Sequence, residues 1–392
     1  MIALRMESLT TQFFASLNDH IDALQSQGVE VIRLDIGSPD MPPAPFIIDT
    51  LYRSACQPDR HGYQPHTGNF ALRQAWADMY AREYRVTLDT NKEIMPLLGS
   101  KEGIFHIHQA LIDPEDVVLI PDPGYLTYTQ ATRFAGGEPY YLPLLPDRGY
   151  LPDLTEIPED VLRRTKLLWL NYPNNPTGAS ANPDYFQEVV QWAQQHRILV
   201  CHDAAYSQVV FDGYKALSIL AVSGAKETAV EFNTLSKSHN MAGWRVGAIL
   251  GNETIIKTLY RLKTNVDSGH FLPIMEAATC AMTQDQSWLI QRNLIYQQRR
   301  DLLLSGLREL GLTPNTPNAS LYVWCPIPSG WTSTAFCEKL LEEAHVSVTP
   351  GVVFGRQGEG YIRIAITSPK EQIERAIMNM KNAKQLFERK TE

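Results

Sequence analysis

Short, strand-like runs rich in apolar residues alternate with helix-length segments through the middle of the chain, from about residue 92 to residue 251. Runs that are apolar on both faces are typical of buried parallel strands, whereas half-exposed strands alternate between apolar and polar positions. The segments between the runs are long enough for helices that cover both faces of a sheet. The pattern therefore predicts an α/β fold with a mainly parallel sheet flanked by helices, with strands at Val117–Ile120, Leu167–Asn171, Ile198–His202, Val230–Thr234 and Val246–Leu250.

The pattern changes after about Trp288, where a long amphipathic stretch begins. We predict here a smaller α/β domain, which the N-terminal helix (Leu9–Gly28) joins. Its later elements are a helix at Leu289–Leu310, a strand at Leu321–Cys325, a helix at Thr334–Ala344 and a strand at Tyr361–Ile366. The predicted boundaries are residues 47–280 for the large domain and residues 1–46 with 281–392 for a small domain built from both termini.

Composition narrows the functional classes. The chain has 392 residues, 44% of them hydrophobic, and a formal net charge of -8, which argues against a nucleic-acid partner because such proteins concentrate Lys and Arg. No apolar stretch reaches the roughly 18 residues that a membrane-spanning helix needs, and Met1–Thr10 lacks the apolar core of a signal peptide. We therefore predict no membrane association and a cytoplasmic location. The five cysteines form no C-x-x-C pair, so we expect buried, reduced thiols rather than disulfides or a zinc site.

Chemistry-bearing side chains follow the predicted strands, at the carboxyl edge where parallel sheets place their sites. Lys237 lies just past the strand Val230–Thr234, between two serines and ahead of Arg245. A lysine is most often a solvated surface charge, but a lysine amine with a depressed pKa forms a Schiff base with an aldehyde. Arg245 is suited to hold a phosphate bidentately. This combination favours covalent capture of a phosphorylated aldehyde.

Asp203 and Tyr206 follow the next predicted strand, and Asn175 lies in a proline-rich segment after another. Each position is also compatible with a simple turn. The functional alternative is a pyridine cofactor, whose ring nitrogen a carboxylate keeps protonated so that the ring withdraws electrons. Tyr206 and Asn175 would then bind the 3-oxygen of the ring from opposite sides.

Three further segments are candidates for anion or ring binding. Gly99–Gly103 precedes a predicted helix at Ile104–Leu111, so its amides form an anion site, although a simple Gly-Ser cap looks the same. Tyr125 either stacks on the cofactor ring or packs a turn. Arg363 lies within an apolar strand, where it needs either a structural Asp or Glu partner or the α-carboxylate of a substrate.

Taken together, and in this order along the chain, these motifs resemble those of class I/II aminotransferases with the aspartate aminotransferase-like fold, pyridoxal-phosphate fold type I. The motifs are Asn-Pro-Thr-Gly at 175–178, Asp203-x-x-Tyr206, Ser236-Lys237 and Gly-Trp-Arg-x-Gly at 243–247. The likeness covers nearly the whole chain, and includes Gly37–Pro42 and Gly62–Gly68. It implies an enzyme with pyridoxal 5′-phosphate as cofactor, an amino acid and a 2-oxo acid as substrates, and a homodimer with active sites at the subunit interface.

The resemblance also implies a role for each matching residue. Lys237, Asp203 and Tyr206 would be catalytic, and Arg363 with the Gly37 backbone would hold the α-carboxylate. The phosphate would lie among Ser100, Lys101, Ser236 and Arg245, with Tyr63 and Ser268 reaching the cofactor of the neighbouring subunit. Tyr125 and Asn175 would contact both the ring and the substrate.

Within the family, several segments are most similar to LL-diaminopimelate aminotransferases, and Lys101 there would meet a distal substrate carboxylate. These segments are Gly99–Ile104, Pro121–Tyr125, Asn171–Pro176, Phe211–Tyr214 and Ser236–Met241. One departure is Thr11–Phe14, where those enzymes usually carry a substrate-contacting tyrosine in a Pro-Pro-Tyr-Leu-Phe segment.

The sequence leaves alternatives to an LL-diaminopimelate aminotransferase open. One is an aminotransferase for aspartate, alanine or aromatic amino acids, and another is a cysteine-conjugate β-lyase of the same fold type. A non-catalytic effector sensor would need a DNA-binding segment, and nothing before Gly37 is long or basic enough. We predict no metal site, because His106 and His108 are two residues apart in a helical stretch and so lie on divergent faces.

Overall fold

The computed structural model describes residue 2, residue 6 and residues 13–388. Helices and strands alternate along most of that length. The helices are α1 (Phe13–Ser26), α2 (Pro45–Ala55), α3 (Phe70–Tyr84), α4 (Ser100–Leu111), α5 (Leu126–Ala135), α6 (Glu159–Arg164), α7 (Pro183–His196), α8 (Ala225–Thr228), α9 (Leu235–Ser238), α10 (Glu253–Lys263), α11 (Leu272–Thr283), α12 (Ser287–Glu309), α13 (Ser333–Ala344) and α14 (Lys370–Asn382). The strands are β1 (Ile32–Arg33), β2 (Ile94–Leu97), β3 (Val117–Asp122), β4 (Glu138–Pro143), β5 (Thr165–Asn171), β6 (Leu199–Asp203), β7 (Ala229–Thr234), β8 (Gly247–Gly251), β9 (Tyr322–Pro326), β10 (Val346–Ser347), β11 (Thr349–Pro350) and β12 (Tyr361–Ala365).

A seven-stranded sheet forms the centre, with the strand order β2-β8-β7-β6-β5-β3-β4. Five neighbouring strands, β4, β3, β5, β6 and β7, pair in parallel, whereas β8 runs antiparallel to both of its neighbours, β7 and β2. The predicted mainly parallel sheet is confirmed, and each of the five predicted runs is one of its strands. Sequence reasoning missed the two edge strands, β2 and β4. β2 is apolar but only four residues long and contains a proline, which is unusual within a strand, whereas β4 is largely exposed.

Alternation along the strands buries both faces of this sheet. In β5, Leu168 and Leu170 pack into the core on one face, while Leu167 and Trp169 pack into the core on the other. Helices cover each face because successive side chains of a strand point to opposite sides. Polar caps define several helix starts: the side chain of Asn182 accepts a hydrogen bond from the Tyr185 amide at the beginning of α7, next to a proline at the first helical position.

The C-terminal third forms a second, smaller layer. β9, β11 and β12 make an antiparallel sheet in the order β11-β12-β9, and β1 pairs in parallel with β10, so chain from near both ends meets here. α1 joins this layer through Ile21, which packs against Val31 and Leu341. The predicted N-terminal helix thus begins at Phe13 within the described part, and residues 9–12 of the prediction lie outside it. Among the described residues, no helix is long and apolar enough to cross a membrane.

Candidate active site

The carboxyl edge of the central sheet and the smaller layer enclose a cavity of about 560 Å³. Every site residue predicted from the sequence lines this cavity, except Tyr63 and Ser268. The predicted residues found there are Gly37, Ser100, Lys101, Tyr125, Asn175, Asp203, Tyr206, Ser236, Lys237, Arg245 and Arg363. They come from segments up to 326 positions apart in the chain, Gly37 to Arg363, so the fold brings them together.

Lys237 extends into the cavity from α9, the single helical turn that follows β7. The hydroxyl of Thr234 accepts from the Ser236 amide and so starts this turn directly at the end of the strand. Lys237 Nζ donates a 2.6 Å hydrogen bond to the Gly37 carbonyl. Burial lowers the pKa of the Lys237 amine, and the positive charges of Arg363 and Arg245 lower it further. The amine is therefore set up as a nucleophile and base rather than as a solvated surface charge.

Asp203 ends β6 and is buried at the cavity wall. Its Oδ2 accepts from the Tyr128 hydroxyl at 2.8 Å, and its Oδ1 accepts from the Ala205 amide at 3.2 Å. Burial raises the pKa of this carboxyl, and the hydrogen bond from Tyr128 opposes that rise. A buried carboxylate without a cationic partner is costly, so this site is suited to a protonated ring nitrogen.

Tyr206 and Asn175 lie on the same wall, each with one polar atom already engaged. The Tyr206 hydroxyl is 2.9 Å from the hydroxyl of Tyr322. Asn175 accepts a 3.0 Å hydrogen bond from Arg363 through its Oδ1, which leaves its amide nitrogen as the donor for a ligand. Asn175 therefore retains a donor for an anionic oxygen in the cavity, and Tyr206 retains one when Tyr322 donates the hydrogen bond that the two hydroxyls share.

Arg363 is a buried arginine, 4% exposed, and no carboxylate among the described residues lies within ion-pair distance of it. Its guanidinium lies between two aromatic rings, 4.2 Å from the Tyr322 centroid and 4.7 Å from that of Phe354. Besides the bond to Asn175, Nη2 donates to the Asp35 carbonyl at 2.9 Å. The structural acid that would have explained this arginine is therefore not found in the described part of the chain, and a ligand carboxylate is left as its natural partner.

A second group of cavity residues, around Arg245, forms an anion site. α4 begins at Ser100, four residues earlier than predicted, and no side chain caps its N-terminus. Arg245 adopts a left-handed backbone (φ 59°) and donates from Nη1 to Ser236 Oγ at 3.3 Å. Gly99 is required here, because its φ is 84° and a Cβ would lie 2.2 Å from Arg245 Nη2. Free helix amides, an arginine and serine hydroxyls match the needs of an ester phosphate.

Lys101 also lines the cavity, and burial and the neighbouring Arg245 lower the pKa of its amine. Tyr125, just before α5, lines the cavity and meets Tyr128 edge-on, with ring centroids 5.6 Å apart. Tyr63 and Ser268 do not reach the cavity of their own chain. Tyr63 is 96% exposed.

Sequence reasoning missed Tyr322, Phe354 and Tyr128. Tyr322 and Phe354 carried no motif, and only strand pairing and packing bring them to Arg363. Tyr128 did carry a signal, because it lies one helical turn after Tyr125. The expectation that all five cysteines are buried is wrong for Cys56, which is exposed, and for Cys280, which is only half-buried.

Outside the cavity, three side chains place possible metal-ligand atoms within 4.8 Å of one another: Glu102, His106 and Asp267. The buried ammonium of Lys263 already lies between the two carboxylates, 2.8 Å from Glu102 and 2.7 Å from Asp267. The cluster is therefore a charge-compensated network that ties α4 to the segment carrying Ser268.

A cavity with a lysine amine of lowered pKa, a buried acid and two arginine-based anion sites fits pyridoxal 5′-phosphate and an amino acid. This is the arrangement of an enzyme that processes amino groups on that cofactor. The family model for aminotransferase class I and II matches residues 29–379, and the chain belongs to this family. It is a pyridoxal-phosphate-dependent aminotransferase, which moves an amino group between an amino acid and a 2-oxo acid.

Two relatives in sequence are both described as LL-diaminopimelate aminotransferases. The chain is 47% identical over 379 residues to the LL-diaminopimelate aminotransferase of Moorella thermoacetica, covering 97% of each chain. It is 44% identical over 380 residues to the LL-diaminopimelate aminotransferase of Dehalococcoides mccartyi, covering 97% of this chain and 98% of that one.

The fold type I architecture is matched among solved structures. Substrate-bound BacF from Bacillus subtilis has a TM-score of 0.94 at 34% identity, with 98% of each chain covered. A single mutant of Thermus thermophilus aspartate aminotransferase has a TM-score of 0.91 at 27% identity, with 97% of this chain and 99% of that chain covered.

Proposed function

We propose that the amino donor is LL-diaminopimelate, with 2-oxoglutarate and glutamate as the other substrate pair. The observation that carries the transamination chemistry is the cavity that Lys237 and Arg363 share, in which a nucleophilic amine and a carboxylate-free arginine face one ligand space. The choice of donor is supported by relatives that bear this description at 44–47% identity over nearly their whole length.

The donor is a long molecule whose far end carries a second ammonium and a second carboxylate. Besides the arginine clamp, the cavity lining carries further cationic side chains. They include Lys101 and Arg33, of which Arg33 is paired with Asp35 at 2.7 Å. Lys101 would attract the distal carboxylate, since an ammonium so placed favours a carboxylate over an apolar side chain.

Binding at the reacting end would be set by Arg363. Two parallel N–H donors of a guanidinium match the two oxygens of an α-carboxylate, and the guanidinium is packed against the rings of Tyr322 and Phe354. The Gly37 carbonyl, which now accepts from Lys237, lies in the segment that follows Asp35. The segment from Asp35 to Gly37 therefore contacts both Arg363 and Lys237, and would fix the position of the carboxylate-binding arginine relative to the lysine amine.

Lys237 would move the proton at the substrate Cα. Its lowered pKa keeps a larger fraction of the amine neutral near pH 7, and a neutral amine is required to accept a proton. Its resting hydrogen bond to Gly37 holds it at the wall of the cavity, beside the space between Asp203 and Arg363.

The residues that would hold pyridoxal 5′-phosphate fall into two groups, one for the ring and one for the phosphate. Asp203 would bind the ring nitrogen, Tyr206 and Asn175 the 3-oxygen, and Tyr125 the face of the ring. The phosphate would be held by Ser100, Lys101, Ser236, Arg245 and, from a second subunit, Tyr63 and Ser268. When bound, the cofactor supplies an aldehyde that carries the amino group and a ring that withdraws electrons from the substrate.

We further propose a homodimer, in which Tyr63 of one subunit completes the site of the other. Exposed aromatic side chains of this region support it: Tyr52 is 71%, Tyr63 96% and Phe70 57% exposed, which is unusual for large rings on a monomer surface. We propose the domain boundaries 47–280 for the large domain and 1–46 with 281–392 for the small one. A cytoplasmic location is supported by the five cysteines, none of which forms a disulfide.

The decisive experiment is a panel of amino donors with 2-oxoglutarate as acceptor, monitored by glutamate formation. The panel contains LL-diaminopimelate, meso-diaminopimelate, aspartate, alanine and phenylalanine, and the Lys101→Met variant is measured beside the wild type. We expect the highest kcat/KM with LL-diaminopimelate, and a loss in Lys101→Met that is larger for this donor than for alanine. Turnover of another donor with none of LL-diaminopimelate would refute the substrate assignment.

A further inference from the structure

Arg292 is a buried arginine, 3% exposed, on the helix α12, outside the cavity. In the described part of the chain, no carboxylate lies within ion-pair distance of its guanidinium. The neighbouring arginines of the same helix differ in this respect: Arg299 pairs with Asp40, and Arg300 pairs with Asp212. Burying a guanidinium without a carboxylate partner costs free energy unless hydrogen bonds to protein groups replace those to water. The groups that Arg292 contacts therefore indicate its role.

Those contacts are backbone carbonyls around the proposed catalytic lysine. Nη1 donates to the carbonyl of Lys237 at 3.0 Å and to that of Ser238, at the end of the helical turn α9. A cation at the C-terminal end of a helix compensates carbonyls that have no partner within the helix. Arg292 therefore fixes the peptide groups on which the Lys237 side chain is mounted.

The other branch of the same guanidinium holds a second segment of the site. Nη2 donates at 2.8 Å to the carbonyl of Gln208, two residues after Tyr206. The amide of Asn293 donates to the same carbonyl at 3.1 Å, and its Oδ1 accepts from Arg292 Nη2 at 2.7 Å. One rigid, planar group thus bridges the turn that carries the amine and the segment that follows Asp203 and Tyr206.

We propose that Arg292 is a positioning residue, which sets the distance between the Lys237 amine and the ring-binding residues Asp203 and Tyr206. The guanidinium is suited to this because its donors are fixed in one plane, whereas a lysine ammonium on a flexible stem cannot span both carbonyls. The inference rests on the proposed role of Lys237. Its consequence is that loss of Arg292 slows covalent capture of the cofactor without emptying the pocket.

The test uses apoenzyme mixed with pyridoxal 5′-phosphate in a stopped-flow spectrometer. The absorbance change reports the covalent step, in which the Lys237 amine adds to the aldehyde carbon and one water leaves. Affinity for 4-deoxypyridoxine 5′-phosphate, which has no aldehyde, reports the ring and phosphate sites without the lysine. Arg292→Met and Arg292→Lys are compared with Arg300→Met, a control that removes an equally buried arginine from the same helix. Arg300 binds Asp212 and the Pro317 carbonyl and makes no hydrogen bond to the carbonyls of Lys237 or Gln208.

We expect Arg292→Met to slow the covalent step about 10- to 100-fold, because a misplacement of about 1 Å has effects of that size. Affinity for the aldehyde-free analogue should stay within about 3-fold, and Arg292→Lys should recover only part of the rate, since charge without the planar fork does not fix geometry. Arg300→Met should capture the cofactor at close to the wild-type rate.

A wild-type rate in Arg292→Met would overturn the inference, as would equal slowing in Arg300→Met. If Arg292→Met does not fold by circular dichroism, Arg292→Lys decides, and a wild-type rate in that variant overturns the inference. Failure of the proposed function has a different signature: wild-type enzyme that forms no covalent bond, or Lys237→Ala that still forms one.

Discussion

Replacing Arg363 by lysine separates charge from geometry in the proposed carboxylate clamp. The guanidinium lies against the rings of Tyr322 and Phe354, and its fork offers two parallel donors to one carboxylate. Lysine keeps the positive charge but offers a single pyramidal donor group that the two rings do not orient. The variant therefore loses one charge-assisted hydrogen bond and the stacking that aligns the other.

The size of the effect follows from these contacts. A hydrogen bond to a charged group contributes about 1.5–3 kcal/mol, and about 1.4 kcal/mol corresponds to a tenfold change. Arg363→Lys should therefore lower kcat/KM for glutamate about 10- to 100-fold. Because the carboxylate is bound in both the ground state and the transition state, most of the loss should appear as a higher KM.

The assay compares glutamate with 4-aminobutyrate, which is the same donor without its α-carboxylate. Wild-type enzyme should prefer glutamate strongly, and the preference should shrink in Arg363→Lys because only glutamate loses a contact. Turnover of 4-aminobutyrate should be nearly unchanged. An equal loss for both donors, or a loss below about 3-fold for glutamate, would refute the assignment of Arg363 as the clamp.

Three further outcomes are expected. Asp203→Asn should lower kcat with glutamate at least about 100-fold, since breaking a buried ion pair costs about 3–5 kcal/mol, and should change the visible spectrum of the bound cofactor. Mixing inactive Lys237→Ala with Tyr63→Ala should restore activity if sites are shared between subunits; no recovery after subunit exchange would argue against sharing. Burial lowers the pKa of His108 from 6.5 to about 4. Because the unfolded chain therefore binds a proton at this histidine at a higher pH than the folded chain does, the free energy of unfolding should fall by about 2 kcal/mol from pH 7 to pH 5. His108→Gln should weaken that pH dependence in urea denaturation.

The parts of the fold that depend on local pattern were predictable. β3, β5, β6 and β7 are largely buried on both faces, so their sequences are rich in apolar residues and show where the sheet lies, although β7 also buries Glu231 and Asn233. The candidate site residues follow from the same rule, because parallel strands end at one edge. The edge strand β4 escaped prediction because one face meets solvent, and its alternation is blurred by two prolines and two tyrosines.

Contacts between distant segments were not predictable from local pattern. The rings on either side of Arg363 depend on the register between β9 and β12 and on the packing of the turn that carries Phe354. Arg292 reads in the sequence as one of several polar positions on a long helix, and only the fold shows that its partners are carbonyls rather than acids. Backbone carbonyls leave no mark in a sequence, so no motif could have indicated this role.

The most direct test of the central claim is to find which amine holds the cofactor. Enzyme loaded with pyridoxal 5′-phosphate is reduced with borohydride, digested, and analysed by peptide mass spectrometry. The account predicts that the phosphopyridoxyl group is attached to Lys237 alone and that Lys237→Ala carries none. Attachment at Lys101 or Lys263, or the absence of any attachment in active enzyme, would contradict it.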